Sequence, residues 1–175
     1  MHKKGFLSFL NTKTMVYMSM FIALYACLST FAIYITPTLR FNFTFIPVAI
    51  ASIMFGPLAG GIAGAFGDVL GWIIVHPGAY IPGLTINAFV SGVIYGLFLY
   101  KKELTIKRII FTTITMVVVV ELFLNALFLS LAFGNAFYVL LSQRLIKFII
   151  LVPLQTLVLY SMRFIIKRIK LTPQH

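Results

Sequence analysis

The stretch GPLAGGIAGAFGDVLGW, residues 56–72, decides the fold of this chain. It is apolar over nearly the length, about 20 residues, at which a helix crosses the ~30 Å hydrocarbon core of a bilayer. Small residues recur in it at every fourth position in two rows: Gly56, Gly60 and Gly64, then Ala63, Gly67 and Gly71. Such rows let helices approach until their backbones touch, so the stretch predicts a membrane helix packed closely inside a bundle.

The composition extends this prediction to the whole chain. Of the 175 residues, 61% are hydrophobic and only 10% are charged, whereas charged residues make up about a quarter of an ordinary soluble domain. Apolar runs of about 20 residues recur without the period-two alternation of a barrel strand, and this favours helices. We therefore predict an all-α membrane protein that forms a single membrane domain over residues 1–175. The net charge of +11 is scattered between the apolar spans, which argues against nucleic acid as a partner.

Six spans are predicted along the chain, at 14–35, 44–56, 58–75, 84–100, 108–133 and 143–166. A basic N-terminal segment, 1–13, precedes them, and a short tail, 167–175, follows them. The second span is short, and short or broken helices in a bundle often lie beside a cavity. The Gly-Pro pair at 56–57 separates the second span from the third by a tight turn.

The basic residues set the expected orientation. Eleven of the fourteen Lys and Arg residues lie on the side of the membrane that holds both termini. By the positive-inside rule that side is the cytoplasm, so we expect a multi-pass protein of the plasma membrane with both termini inside the cell. The three remaining cations, Arg40, Arg144 and Lys147, lie outward, and orientation does not explain them.

These outward cations indicate an anionic ligand. Arg40 stands in TPTLRFNFTFIP, residues 36–47, beside Phe41, Phe43 and Phe45. An arginine can hold a carboxylate by bidentate hydrogen bonds, while aromatic rings can stack on a flat group. For Arg144 the alternative is a side chain that reaches to the membrane interface.

Two acidic residues lie inside apolar runs, where a charge is expensive and usually faces the bundle interior. Asp68 has two open interpretations, namely a carboxylate that pairs with an outward cation, or a protonated carboxyl with structural hydrogen bonds. For Glu121 we predict a structural role, with a hydrogen bond to Asn125 one turn later.

Polar and aromatic residues after Asp68 form a second candidate group. They lie in GWIIVHPGAYIPGLTIN, residues 71–87, whose Pro and Gly pairs at 77–78 and 82–83 predict an ordered loop. Trp72 and Tyr80 are either an interfacial aromatic belt or a stacking surface for a flat ligand. His76 is more typical of a loop or an interface than of catalysis. The Asn87 amide can match the edge of a heterocycle with both a donor and an acceptor.

The first span carries a row of small residues, Ser19, Ala23 and Cys27, four positions apart. This row either packs inside the bundle or docks a separate membrane subunit. Cys27 is the only cysteine, so the sequence has neither a disulfide framework nor a zinc pattern.

Taken together, these segments resemble the S components of energy-coupling factor (ECF) vitamin transporters. The resemblance is carried by RFNFTFIPVAIASIMFGPLAGGIAGAFGDVLG at 40–71, HPGAYIPGLTINAFVSGVIYGLFL at 76–99, and an arginine followed three residues later by a lysine at Arg144 and Lys147. The pattern looks most like the folate-specific members of the family.

The resemblance implies a six-helix bundle that binds a vitamin at the extracellular side, beneath loops that cover the pocket. It also implies docking, through small residues of the first helix, on a transmembrane coupling subunit that works with two cytoplasmic ATPases. In the family's mechanism the whole S component topples in the membrane to deliver its ligand. Only Ala23 of the row Ser19, Ala23 and Cys27 matches the family's alanines.

For folate the resemblance implies ligand contacts from the candidates above: Arg40, Phe43, Asp68, Trp72, His76, Tyr80, Asn87, Arg144 and Lys147. No cofactor and no metal are predicted. The chain has no GxxxxGK[ST] phosphate loop, so partners must supply ATP hydrolysis. The alternatives are riboflavin or thiamine as the vitamin, an intramembrane enzyme, and a stand-alone proton-coupled transporter using Asp68 or Glu121.

Overall fold

The computed structural model describes residues 12–36, 39–75, 80–134 and 148–163, and helices make up most of this part. The helices are α1 (Thr12–Thr30), α2 (Phe45–Phe55), α3 (Pro57–Val75), α4 (Pro82–Leu99), α5 and α6 (Phe148–Arg163). Helix α5 consists of three consecutive segments: Ile106–Met116, the π-helical Val117–Leu124, and Asn125–Phe133. The predicted helical bundle is confirmed.

The surface of the bundle is apolar. Among the described residues, three helices are long and apolar enough to cross a membrane: Pro57–Val75, Pro82–Leu99 and Ile106–Ala132. Large apolar side chains such as Met20, Leu131 and Leu157 are more than half exposed, at 61%, 75% and 67%. In a water-soluble domain such a surface would drive aggregation, so it is a surface suited to lipid.

The first span was predicted too long. Helix α1 ends at Thr30, and the chain then forms a two-stranded antiparallel hairpin from β1 (Ile33–Thr36) and β2 (Leu39–Phe41). Its register places the Cα of Tyr34 opposite that of Arg40. The β-branched residues of IYIT favour a strand, and Pro37 disfavours a helical backbone at the residue before it.

Helix boundaries at 56 and 82 follow from glycine and proline. Gly56 ends α2 with a φ of 101°, a conformation that favours glycine, and Pro57 begins α3. The predicted turn at this pair is therefore confirmed, as is the short second helix. At the other site, Pro82 and Gly83 were expected in a loop, but they form the first turn of α4, because proline is well suited to the first helical position.

One row of small residues on α3 packs against α2 and α4. A Cβ on Gly60 would overlap the side chain of Ser52, and a Cβ on Gly64 would overlap the backbone of Ala88. From the other side, a Cβ on Gly92 would overlap the backbone of Gly60. The Ser52 hydroxyl lies 2.8 Å from the Gly92 carbonyl oxygen on α4 and 2.7 Å from the Val48 carbonyl oxygen of its own helix, so its one proton is shared between the two acceptors. These glycines serve intramolecular packing.

The second row on α3 packs against α1. A Cβ on Gly67 would come within 2.5 Å of Cγ of Tyr25, and a Cβ on Gly71 would come within 2.6 Å of the Ser29 hydroxyl oxygen. Helix α3 therefore touches α1, α2 and α4 at close range, and it lies at the centre of this half of the bundle.

Glu121 lies in the π-helical segment of α5. The Asn125 side-chain amide donates a hydrogen bond of 3.3 Å to its carboxylate, so the predicted pairing is confirmed. The sequence did not predict the π-helical geometry around it.

The packing predicts that bulk at Gly92 destabilises the bundle. A Gly92→Val side chain would collide with backbone rather than with a movable side chain, and we expect a loss of about 3 kcal/mol, the upper end for overpacking. Thermal unfolding in detergent measures this. Leu97→Val, on the exposed side of the same helix, is the control, and its melting temperature should be close to that of the wild type. Equal melting of the two variants would contradict the packing argument.

Candidate ligand-binding site

Asp68 is buried, at 9% exposure, and is held from two sides. The Tyr25 hydroxyl on α1 donates a hydrogen bond of 3.3 Å to Oδ1, and the Thr85 hydroxyl on α4 donates one of 2.8 Å to Oδ2. These bonds agree with a hydrogen-bonded Asp68, but the side chains of the outward cations lie outside what the structure describes, so pairing with one of them stays a prediction. A carboxylate has about four lone-pair sites, so one such group can accept several hydrogen bonds at once.

The aromatic pair lies next to this carboxyl. The ring centroids of Trp72 and Tyr80 are 5.1 Å apart, with the ring planes inclined at 58°. The Tyr80 hydroxyl is 2.7 Å from that of Thr85. Because the single Thr85 proton is donated to Asp68, Tyr80 is the donor in this bond. Asp68, Trp72 and Tyr80 therefore form one connected cluster, with Thr85 as the link.

Asn87 has an unsatisfied side chain. It is buried, at 5% exposure, and neither its amide nitrogen nor its amide oxygen has a hydrogen-bond partner. Most buried side-chain polar atoms in proteins are paired, and an exception calls for an explanation such as a missing ligand or water. Asn87 can offer a donor and an acceptor side by side.

Asn87 and Asp68 lie on different sides of α4. Thr85, which binds Asp68, precedes Asn87 by two positions, and two helical residues are rotated by about 200°. Gly83, one turn before Asn87, packs against the side chain of Phe128 on α5. Asn87 is therefore on the face of α4 toward α5, whereas Asp68 approaches α4 from α3.

The remaining candidates are placed only in part. Phe43 is 40% exposed, and its ring centroid lies 6.4 Å from that of Phe45. The backbone of Arg40 lies in β2, but its side chain is outside what the structure describes. His76, Arg144 and Lys147 lie outside the described residues.

The row of small residues on α1 faces outward. Ser19, Ala23 and Cys27 are all exposed. An open groove of about 330 Å³ between α1 and α3 adjoins the row and is lined by Ser19, Ile22, Ala23, Phe66, Val69 and Leu70. The row therefore takes no part in packing within the described bundle, and it leaves a shallow surface that another helix could fill.

Two residues that contact Asp68 were not predicted from the sequence. Tyr25 and Thr85 hold Asp68, and neither belongs to a recognisable motif. A physical signal was available, because a carboxyl buried in a membrane helix needs donors. That requirement does not say which of many hydroxyl groups supplies them. Among the described residues, no group of three or more His, Cys, Asp or Glu side chains could hold a metal.

Comparison with known proteins identifies the family. The family model described as "ECF-type riboflavin transporter, S component" matches residues 9–172. The chain is 41% identical over 161 residues to the folate transporter FolT of Clostridium novyi (strain NT), covering 92% of this chain and 94% of that protein. It is 29% identical over 157 residues to the folate transporter FolT of Leuconostoc mesenteroides subsp. mesenteroides, covering 86% and 84%.

A solved structure gives the same result. The crystal structure of FolT bound with folic acid superimposes with a TM-score of 0.81 at 39% sequence identity, covering 87% of this chain and 93% of that one. Since the family match extends over nearly the entire sequence, the chain belongs to the S components of ECF-type transporters and is a multi-pass membrane transport subunit rather than an enzyme.

Proposed function

We propose that this S component binds folate at the outer side of the plasma membrane and delivers it inward. A transmembrane coupling subunit and two cytoplasmic ATPases supply the energy, and both termini of the chain lie in the cytoplasm. The whole chain acts as one membrane domain. The observation that carries the proposal is the buried, unpaired amide of Asn87.

An unpaired buried polar group costs about 1–3 kcal/mol, and Asn87 has two such atoms. A ligand that pairs both atoms removes this cost, whereas an apolar ligand or an empty pocket does not. The pterin ring of folate carries ring nitrogens, a carbonyl oxygen and an amino group, so it offers adjacent donors and acceptors. Asn87 is therefore suited to one hydrogen-bonding edge of the pterin.

The cluster around Asp68 favours folate over riboflavin. The 2-amino group and the N3–H of a pterin are two neighbouring donors, and a carboxylate accepts from both. Riboflavin has a carbonyl oxygen in place of that amino group. A carbonyl oxygen and a carboxylate are both acceptors, so they would repel each other. Because the matching family model is described for riboflavin, this vitamin is the second candidate. The names of the two similar transporters and of the solved structure support folate.

The benzoyl-glutamate part of folate carries two carboxylates. We assign these carboxylates to the outward cations Arg40, Arg144 and Lys147. The positive-inside rule does not account for cations on the outer side, and such cations can bind an anion that arrives from outside the cell. Trp72 and Tyr80 supply aromatic surface for the rings, and Phe43 and His76 complete the proposed set of contacts.

Substitution of Asn87 separates binding from stability. In Asn87→Leu, the apolar side chain has a similar size and removes the two unpaired atoms, so we expect unchanged or higher stability. Folate affinity should fall about tenfold or more, because the ligand loses its partners. Equilibrium binding of tritiated folate and thermal unfolding, both on the purified subunit, measure the two effects.

The matched control is Thr113→Val, which removes a buried hydroxyl that bonds only within its own helix, at 2.9 Å from the Ile109 carbonyl oxygen. It should leave folate binding unchanged. If the wild-type subunit bound no folate, the assignment of this vitamin would be wrong. If Asn87→Leu kept full affinity, Asn87 would not be a ligand contact.

Asp68→Asn tests the choice between vitamins. An amide places a donor toward the pterin amino group, so we expect folate affinity to fall about tenfold and the preference for folate over riboflavin to narrow. A folate analogue with hydrogen in place of the 2-amino group should already bind the wild type weakly, and it should lose little more in the variant. An unchanged preference would exclude Asp68 from recognition of the ring.

Bulk on the outer face of α1 tests docking on the coupling subunit. Ala23→Trp would fill the groove beside the exposed row, so we expect uptake driven by the complete transporter to be lost while folate binding by the isolated subunit persists. Ala132→Trp, exposed on α5, is the control and should transport normally. Normal uptake by Ala23→Trp, or loss of binding as well, would contradict this docking face.

A further inference from the structure

We propose that Tyr25 is a positioning residue that holds the Asp68 carboxylate in its binding orientation and thereby links the ligand site to α1. This inference rests on the proposed function, because it requires that Asp68 contacts the ligand. It assigns a role to a residue that no motif identifies. It also gives helix α1, whose outer face carries the exposed row Ser19, Ala23 and Cys27, a part in ligand recognition.

A continuous chain of hydrogen bonds carries the inference. Tyr80 donates to Thr85 over 2.7 Å, Thr85 donates to Asp68 Oδ2 over 2.8 Å, and Tyr25 donates to Asp68 Oδ1 over 3.3 Å. The chain starts at the residue that precedes α4 by two positions, crosses α3 and ends on α1. Since a donor from a different helix holds each carboxylate oxygen, the carboxylate plane cannot rotate freely.

Packing fixes the position of the Tyr25 hydroxyl. Tyr25 is 7% exposed, and its ring lies against the backbone of Gly67, directly before Asp68 in the sequence. A Cβ on Gly67 would come within 2.5 Å of the ring, so the lack of a side chain there makes room for Tyr25. The ring is therefore seated by α3 itself, and its hydroxyl reaches the neighbouring carboxylate from a fixed direction.

Two consequences follow from this geometry. A carboxylate that is already oriented loses less conformational freedom when ligand binds, so the two hydroxyl donors raise affinity without touching the ligand. In addition, a shift of α1 relative to α3 would withdraw the Tyr25 hydroxyl and release one side of Asp68. The Tyr25 hydrogen bond therefore connects α1, which carries the exposed row of small residues, to the Asp68 carboxylate. Coupling between two sites requires a physical connection of this kind.

The test is Tyr25→Phe in the purified, full-length subunit, with folate and its 2-desamino analogue as probes. The ring and its packing remain while the hydroxyl is lost. We expect folate affinity to fall about tenfold, because the carboxylate loses a donor, while affinity for the analogue stays within about twofold. A merely structural role would lower both affinities together, and that result would overturn the proposal.

Tyr17→Phe is the matched control. Tyr17 lies on the same helix two turns earlier and is 46% exposed, so loss of its hydroxyl should change neither affinity. A second control is the double variant Tyr25→Phe/Asp68→Asn. If Tyr25 acts through Asp68, the double variant should bind folate as weakly as Asp68→Asn alone, and independent, multiplying losses would overturn the proposal.

Thr85→Val provides an independent variant on the other side of the carboxylate, and it should show the same selective loss of folate affinity. If Tyr25→Phe does not yield folded protein, Thr85→Val becomes the test of the inference. Unchanged folate affinity in Thr85→Val would then overturn the inference. Failure of the proposed function looks different, because the wild-type subunit itself would not bind folate. A wild type that binds folate, together with a Tyr25→Phe variant that binds it equally well, refutes this inference alone.

Discussion

The structure depends on the close contact between the backbones of α3 and α4. A Cβ on Gly92 would overlap the backbone of Gly60, and a Cβ on Gly64 would overlap the backbone of Ala88 one turn away. Between membrane helices the hydrophobic effect offers little, since lipid is as apolar as a leucine side chain, so close packing and hydrogen bonds supply the cohesion. The small residues of α3 provide both, because close approach also allows the Ser52 hydroxyl to reach the Gly92 carbonyl.

The same rigid core makes the polar groups of the site informative. Most buried hydroxyl groups of the described bundle bond to carbonyls of their own helix, as Thr112 does to Arg108 and Thr113 to Ile109. Such bonds need no ligand. Asn87 differs because both polar atoms of its amide are buried without a partner, and Asp68 differs because hydroxyl groups of two other helices donate to it. The Thr156 hydroxyl is also buried without a partner, and Tyr95 bonds to Gln155 on another helix, so what distinguishes Asn87 is two unpaired atoms in one side chain.

The proposed function follows from the division of labour in this family. The sequence has no phosphate-binding loop, and the proposed function assigns ATP hydrolysis to other subunits. What remains for this chain is recognition of the vitamin on one side and contact with partners on another. Helix α3 connects the two, since it carries Asp68 and packs against α1, whose exposed face adjoins an apolar groove. The proposed function therefore places ligand recognition and docking on neighbouring helices of one bundle.

The sequence by itself determined the class of fold and the position of most helices, because apolar length, glycine spacing and proline positions act locally. It also determined the Gly56–Pro57 turn and the pairing of Glu121 with Asn125, both of which join residues within one helical turn or less. It did not predict the hairpin after α1, where local β propensity ends the helix before its apolar run does.

Only the tertiary structure decided which candidates share a site. It connected Asp68, Trp72 and Tyr80 through Thr85, set Asn87 on another face of α4, and brought Tyr25 to Asp68 across 43 positions of sequence. The physical reason is that a buried carboxyl must find donors, and helix packing alone selects which hydroxyl groups come within reach.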